Sequence, residues 1–402
     1  MSSYSELLRS PGVARIVAAQ LTARFPSGML SLAFLLHVEQ QTGSYGLAGL
    51  VLAATSIGQA IAGPLTSRLM GRFGMRRVLV LTLIVCVAAI TVIALIPPIM
   101  PAYLALGFVA GLATPPVQPA VRTIYPKMVN SRQLTPLFSL DASAQEIIWV
   151  VGPVVTTFVS TQIGTVWGIL LAAVLMVGGG AWFIASPELG RVRIPRSKRA
   201  FGVVLKRPAV LLGTIVGFLL IGATAAIEAG VVAVFGHDGA EAGLVLAIFS
   251  IGSLAGGLSF GSIPLGPWAM TWRMFIVFFG TALAAFVMDF WWLSATLFIA
   301  GIGIAPVLTV IFATVSSSVK FSDTAEAYGW IGTGQLIGAA LGSALAGFFI
   351  DGYGAVGAFW IAGAFALVGV VVAAGGRPWT PDLRGKDASP IPDTEPVQVQ
   401  PS

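Results

Sequence analysis

Apolar residues fill this chain in long blocks instead of alternating or recurring along one face. Block after block holds about 20 residues with hardly a charge, the length a helix needs to cross about 30 Å of hydrocarbon. Twelve such blocks occur: 13–37, 45–68, 77–97, 101–125, 136–161 and 165–185, then 208–234, 241–262, 270–290, 292–318, 324–350 and 355–376. They are numbered here as spans 1 to 12. None has the strict alternation of barrel strands, and only helices or closed barrels satisfy their backbone in lipid. The pattern predicts an all-α integral membrane protein with twelve transmembrane helices.

The polar positions sort by side. An even number of spans puts both ends of the chain on one face of the membrane. All but one of the 22 lysines and arginines fall on that face or at its border, and Arg24 is the exception. The other face receives His37, Glu39, His237, Asp238, Glu241, Asp289 and Asp351. Short basic loops stay in the cytoplasm, so both termini are expected there, in a multi-pass protein of the cell (cytoplasmic) membrane. The longest internal connection, 187–207, has seven basic residues against Glu188 and divides the spans six and six. The expected organisation is an N-terminal six-helix half (1–186), a basic cytoplasmic linker (187–207), a C-terminal six-helix half (208–376) and a tail (377–402). The tail is rich in proline, aspartate and glutamine without an apolar period, which predicts disorder.

Composition narrows the classes. The chain is 56% hydrophobic and 9% charged, against about a quarter charged in ordinary domains, and its excess apolar surface must face lipid. A net charge of +6 would suit nucleic acid if it were gathered on one face. It lies between apolar blocks, so the bilayer surface is the partner implied. Cys86 is the only cysteine, and the only histidines are the distant His37 and His237. No disulfide framework, metal site, cofactor or histidine-based catalytic centre is expected, and so no enzyme. The first span carries Arg15, Arg24 and Pro26 with no cleavage-site pattern after it, and is expected to be a retained helix.

An internal repeat supports the six-plus-six division. Span 2 reads AGLVLAATSIGQAIAG over 48–63, and span 8 reads AGLVLAIFSIGSLAGG over 242–257, with ten of sixteen positions identical at an offset of 194. A weaker echo pairs AGLATPP (110–116) in span 4 with AGIGIAP (300–306) in span 10. Two same-orientation copies of a six-helix unit are implied.

Between spans 2 and 3 lies GPLTSRLMGRFGMRR, residues 63–77, with four arginines in a chain that has few charges. With the repeat, it resembles the loop signature of the major facilitator superfamily. Gly63 matches the leading glycine, and Arg68, Gly71 or Gly74, Arg72, Arg76 and Arg77 match the basic remainder. Ser67 stands where the family usually has an aspartate that helps to lock the cytoplasmic side. The resemblance thus implies a latch that is weaker or built differently, and a stabilised outward-facing state for Ser67→Asp. In span 5, Gly152 and Pro153 in VVGPVV resemble the core of the family's antiporter motif, although its surrounding glycines are absent.

The resemblance implies two parallel six-helix bundles rocking around a midplane site, and a relative of bacterial multidrug or small-metabolite exporters. The function expected is proton-coupled efflux of a small, amphipathic molecule by a monomer; the alternatives are an uptake permease or a non-transporting sensor with the same fold. No GxxxxGK[ST] loop occurs, so an ion or substrate gradient would supply the energy.

Charge inside a bilayer costs at least about 2.5–3.5 kcal/mol at a helix centre and usually pairs or lines a cavity. Arg24 and Glu146 lie at matching depths, ~18 and ~15 Å from the basic end at ~1.5 Å per residue. Spans 1 and 5 are neighbours in the resembling fold, so an Arg24–Glu146 pair is expected, with Asp141 as alternative partner and either carboxylate as proton carrier. Glu228, in the outer half of span 7, is a second protonatable candidate. Three prolines bend span 4 at 115, 116 and 119, followed by Gln118 and by Arg122, expected as an anchor at the basic border. Trp149 could stack a substrate; Gln59, Gln335 and Trp330 could reach the cavity. Gly334, Gly338, Gly342 and Ala346 form a stripe for close helix packing. His37 and His237 are expected at the outer border without a special role.

Overall fold

The computed structural model describes residues 4–393 apart from 198, 237–239 and 262. His237 and Asp238 therefore lie outside the described residues, as do 394–402. Eleven helices are long and apolar enough to cross a membrane, and a twelfth, Ala269–Ala284, is shorter. They occupy the twelve expected places, and the described residues contain no strand beyond an isolated bridge.

Three spans are interrupted where the sequence removes a donor or gathers polar side chains. Span 1 is Val13–Arg24 and Ser27–Thr42, separated at Pro26, whose ring leaves no backbone N–H. Span 4 is Met100–Leu112 and Val117–Ile124, broken at Pro115 and Pro116. Span 5 is Ser131–Ala144 and Glu146–Gln162, with Gln145 between them. Span 9 ends at Ala284, short of the expected 290. Asp289 then caps span 10 (Phe290–Ser318), its carboxylate accepting from the Trp291 and Trp292 amides at 2.9 and 3.0 Å.

The basic stretch 63–77 is not a loop. Span 2 runs from Tyr45 to Phe73 and span 3 from Met75 to Leu95, so the whole connection is Gly74. Its φ of 91° is open to glycine and strained for other residues, which is why so abrupt a reversal occurs here.

The repeat has a packing explanation. In the N-terminal half, Gly58 of span 2 lies against the Phe108 carbonyl of span 4, and Gly111 of span 4 against the Thr55 carbonyl of span 2. In the C-terminal half, Gly252 lies against the Phe298 carbonyl and Gly301 against the Phe249 carbonyl. Each residue of the second set is its repeat partner in the first. The matched glycines are therefore backbone-on-backbone helix crossings, the contact that small residues permit in membranes. Gly252→Val should destabilise the fold by about 1–3 kcal/mol through overpacking. Thermal unfolding in detergent would show it, and an unchanged midpoint would contradict the crossing.

The last glycine of the repeat works between halves. Gly63 of span 2 meets span 11 (Phe321–Tyr353) at the Gly329 carbonyl, where an added Cβ would be 2.9 Å away, and its partner Gly257 meets span 5 at Ser143. Thr333 donates to the Ala60 carbonyl at 2.7 Å and Ser139 to the Gly257 carbonyl. Phe138 packs on Phe312 and Tyr328. Among the described residues, the hydrogen bonds, ion pairs and ring contacts between the halves all lie from the basic end to the level of Glu146, so the bundle is closed at that end. The stripe on span 11 packs internally: Gly334, Gly338 and Gly342 sit on the Thr214, Phe218 and Gly222 carbonyls of span 7.

The described part of the tail, 377–393, departs from expectation. Leu383 donates its amide to the Leu265 carbonyl at 2.9 Å, and Ile391 exchanges backbone bonds with Val319 and Phe321 at 2.9 and 3.0 Å. Asp393 accepts from the Ser322 hydroxyl at 2.6 Å. Residues 377–393 are seated on the basic end, not disordered. They are held by backbone pairing and by buried Leu383 and Ala388, which need no apolar period.

Candidate functional site

The breaks in spans 1, 4 and 5 bring polar side chains together inside the N-terminal half. Asp141, fully buried, is at the centre. Its Oδ2 accepts from Arg122 Nε at 2.8 Å; its Oδ1 accepts from Gln20 at 3.1 Å, Tyr125 at 3.3 Å and Arg24 at 3.4 Å. Arg24 donates more closely to neutral oxygens, to Gln20 Oε1 and Gln145 Oε1 at 2.9 Å each. The Gln118 amide oxygen, when turned towards the guanidiniums, accepts from Arg122 at 2.8 and 2.9 Å and from Arg24 at 3.1 Å. Orientation by the donors is the usual basis for assigning an amide.

Two expectations are corrected. Arg24 does not pair with Glu146; the partner is the alternative, Asp141, together with two glutamines. Arg122 is not a border anchor. It is 2% exposed, paired with Asp141, and its guanidinium lies 3.5 Å from the centre of the Phe312 ring in the other half. The bend after Pro116 turns Arg122 inward, and a depth count that assumes a straight helix misses this.

Glu146 heads the second segment of span 5 and makes no described ion pair with the arginines. Its Oε1 accepts from Ser253 of span 8 at 2.9 Å, across the halves, and no described cation is within ion-pair distance. Glu228 of span 7 is exposed on its helix and close enough to Glu146 for its charge to act there. Trp149 is 55% exposed. Ile147, Val151, Val154 and Phe158 form an exposed apolar stripe on span 5; at 100° per residue Trp149 lies on the other side of the helix, within a turn of Glu146. Gln59 and Gln335 are half-buried on spans 2 and 11 without a described hydrogen bond. Trp330 does not reach this region; it packs on Phe201 of the linker at 5.7 Å between ring centres.

Gly152 is a crossing point. An added Cβ would come within 2.8 Å of the Gly28 backbone in span 1, so Gly152 lets spans 1 and 5 pack backbone against backbone. His37, expected at a border, is fully buried, with Nδ1 3.1 Å from the Thr165 hydroxyl. Arg273, expected on the basic face, is buried and donates to the Pro306 and Phe260 carbonyls at 3.1 and 3.4 Å.

The basic end carries a second constellation. Arg68 donates to Glu326 of span 11 at 2.8 Å and also to the Arg199 carbonyl of the linker. Glu326 accepts from the Gly202 amide at 2.8 Å, and Asp323, one turn before it, accepts from Ser197 at 2.6 Å. Ser67 is buried and donates to the Gly63 carbonyl of its own helix. The carboxylate that meets Arg68 comes from span 11, as Glu326, and not from position 67. Gly71 lies against the linker at the Pro195 carbonyl, 3.1 Å from an added Cβ, and Arg76 donates to the Ser186 carbonyl at 3.1 Å. Arg72 stacks on Phe73 with 5.0 Å to the ring centre, and Arg77 is exposed.

Gln20, Gln145, Ser253, Asp323 and Glu326 were not singled out from the sequence. The acids had a visible signal, two carboxylates three residues apart on the most basic face. The glutamines had none.

A family model described as Major Facilitator Superfamily matches residues 16–264 and 221–397. No curated protein matches the chain by sequence. Among solved structures, the human organic anion transporter MFSD10 (TETRAN) is similar at TM-score 0.70 and 15% identity, with 90% of this chain and 100% of that one covered. A bacterial homologue of the iron transporter ferroportin in an outward-facing state gives TM-score 0.75 and 12% identity over 90% and 98%. The E. coli fucose:proton symporter FucP gives 0.71 and 12% over 90% and 98%. At these identities the likeness is one of fold.

Proposed function

Because this chain belongs to the major facilitator superfamily, a family of transporters, we propose that it is a proton-coupled exporter of a small, amphipathic molecule working by alternating access. The observation that carries the coupling is Glu146: a carboxylate within a span, without a cation, held only by a hydroxyl of the opposite half. Such a carboxylate is neutralised at least cost by a proton. Rocking must break the Ser253 contact, which offers Glu146 to one side of the membrane and then to the other. Glu228, near enough to act on Glu146, is the second carrier.

The basic end is the cytoplasmic one in this proposal, following the positive-inside rule, so the closed state described above faces outward. The carrier operates as a monomer in the cell membrane. Export, not uptake, follows from the Gly152–Pro153 resemblance; solved relatives include proton symporters, so direction is itself a readout.

The test is flux in proteoliposomes under an imposed pH gradient. Glu146→Gln should abolish gradient-driven accumulation while leaving substrate exchange at zero gradient. Full retention of gradient drive would remove Glu146 from the coupling, and accumulation only in the uptake direction would reverse the assigned sense.

A further inference from the structure

The central cluster carries more positive charge than its surroundings neutralise. Arg24 and Arg122 share one carboxylate, Asp141, and the share is unequal. Arg122 has the 2.8 Å bond to Oδ2, whereas Arg24 has the longest of the three bonds to Oδ1, at 3.4 Å. The close partners of Arg24 are amide oxygens, Gln20 and Gln145 at 2.9 Å each, which orient a guanidinium and leave its charge intact. Arg24 is also the accessible member: 12% exposed, against 2% for Arg122 and none for Asp141. The other ionisable groups nearby do not pair with it. Tyr125 donates to Asp141, Glu146 is bonded to Ser253, and Glu228 is on span 7 with no described bond to an arginine.

A guanidinium kept charged, oriented by neutral acceptors and partly open within a membrane span is complementary to an anion. Gln145 belongs to the break that heads the segment carrying Trp149, one turn further on, whose exposed indole offers a flat apolar surface. We propose that the carried molecule has an anionic group (carboxylate, sulfonate or phosphate ester) which docks on the Arg24 guanidinium, with its apolar body against Trp149. This rests on the transport reading above and names the substrate class of the same site.

In a proton-linked cycle this division of labour is coherent. The arginines hold the anion on the N-terminal half, and Glu146 and Glu228 carry protons where the halves meet. Neither role needs the other's side chain, so the two can be tested apart.

The experiment is ligand binding to the purified chain in nanodiscs, read by thermal stabilisation and by calorimetry. The probes are naphthoate, naphthalenesulfonate and naphthyl phosphate, each beside its neutral amide or alcohol, with naphthylmethylamine as the cation. At least one anion should bind, and its neutral counterpart should be weaker by about tenfold or more, because a site built around a charged donor rejects an analogue lacking the partner. Sulfonate keeps its charge across the pH range, so its preference cannot arise from ligand protonation. Arg24→Gln should remove the discrimination and Arg24→Lys should restore part of it. The wild-type comparison stands by itself if Arg24→Gln does not fold.

Equal or tighter binding of the neutral or cationic probes overturns the proposal, as does failure of every anion to bind at millimolar concentration. If the excess charge merely balances that of Glu146, Arg24→Gln/Glu146→Gln will recover what Arg24→Gln loses; under the proposal it will not. Gradient-driven, Glu146-dependent flux of a neutral probe would sink the anion site and leave the transporter standing. Anion-selective binding without gradient-driven flux would do the reverse.

Discussion

Asp141→Ala should cost about 3–5 kcal/mol of stability, because removing one partner of a buried ion pair leaves its charge uncompensated. Here it leaves two guanidiniums, since Asp141 accepts from both Arg122 and Arg24 as well as from Gln20 and Tyr125. The expected result is a chain that unfolds on extraction or melts far below wild type. Asp141→Asn should fall between, because an amide oxygen still accepts although the charge is gone. The decisive measurement is the pair Asp141→Asn/Arg122→Gln. Deleting both charges removes the imbalance that deleting one creates, so the double variant should melt above Asp141→Asn. If it melts lower, Asp141 and Arg122 act through separate contacts and the cluster is not one electrostatic unit.

The second large effect concerns conformation. Glu326→Gln keeps an acceptor for the Gly202 amide but sets an amide against Arg68, breaking a charge-assisted bond of 2.8 Å. A hydrogen bond to a charged group contributes about 2 kcal/mol, which corresponds to about a 30-fold shift in the ratio of closed to open states at the basic end. Spin labels at Phe73 and Ile263, both exposed beside the basic-end connections of the two halves, would report it as a longer-distance population. An unchanged distance distribution would show that the glycine contacts, Gly63 on Gly329 and Gly257 on Ser143, close this end without the latch.

The fold was legible because lipid imposes a length and a composition on every span. Even the repeat could be read, since it preserves glycines at helix crossings and such contacts tolerate little else. The site was legible only in part. Arg24, Asp141, Glu146 and Glu228 are conspicuous because charge within a span is rare. Their pairing was not conspicuous, because it depends on helix breaks at Pro26, Pro115–Pro116 and Gln145 that rotate side chains after the depth has been counted. Arg122 shows this best: its sequence position says border, whereas the bend before it says interior. The tail failed for a different reason. Its anchoring is by main-chain pairing, for which the side-chain sequence carries little signal.

That anchoring has a practical side. Residues 380–393 touch the connection after span 8 through Leu265 and the turn between spans 10 and 11 through Val319 and Phe321. A dye attached beside Asp393 would therefore ride on the C-terminal half as on a rigid body instead of sweeping a cone on a loose tether. Paired with a dye at Arg77, it becomes a ruler for the hinge between the halves. Deleting the tail to aid crystallisation would remove a splint that ties the connection after span 8 to the turn between spans 10 and 11, in the half whose collective motion the crystals are meant to capture.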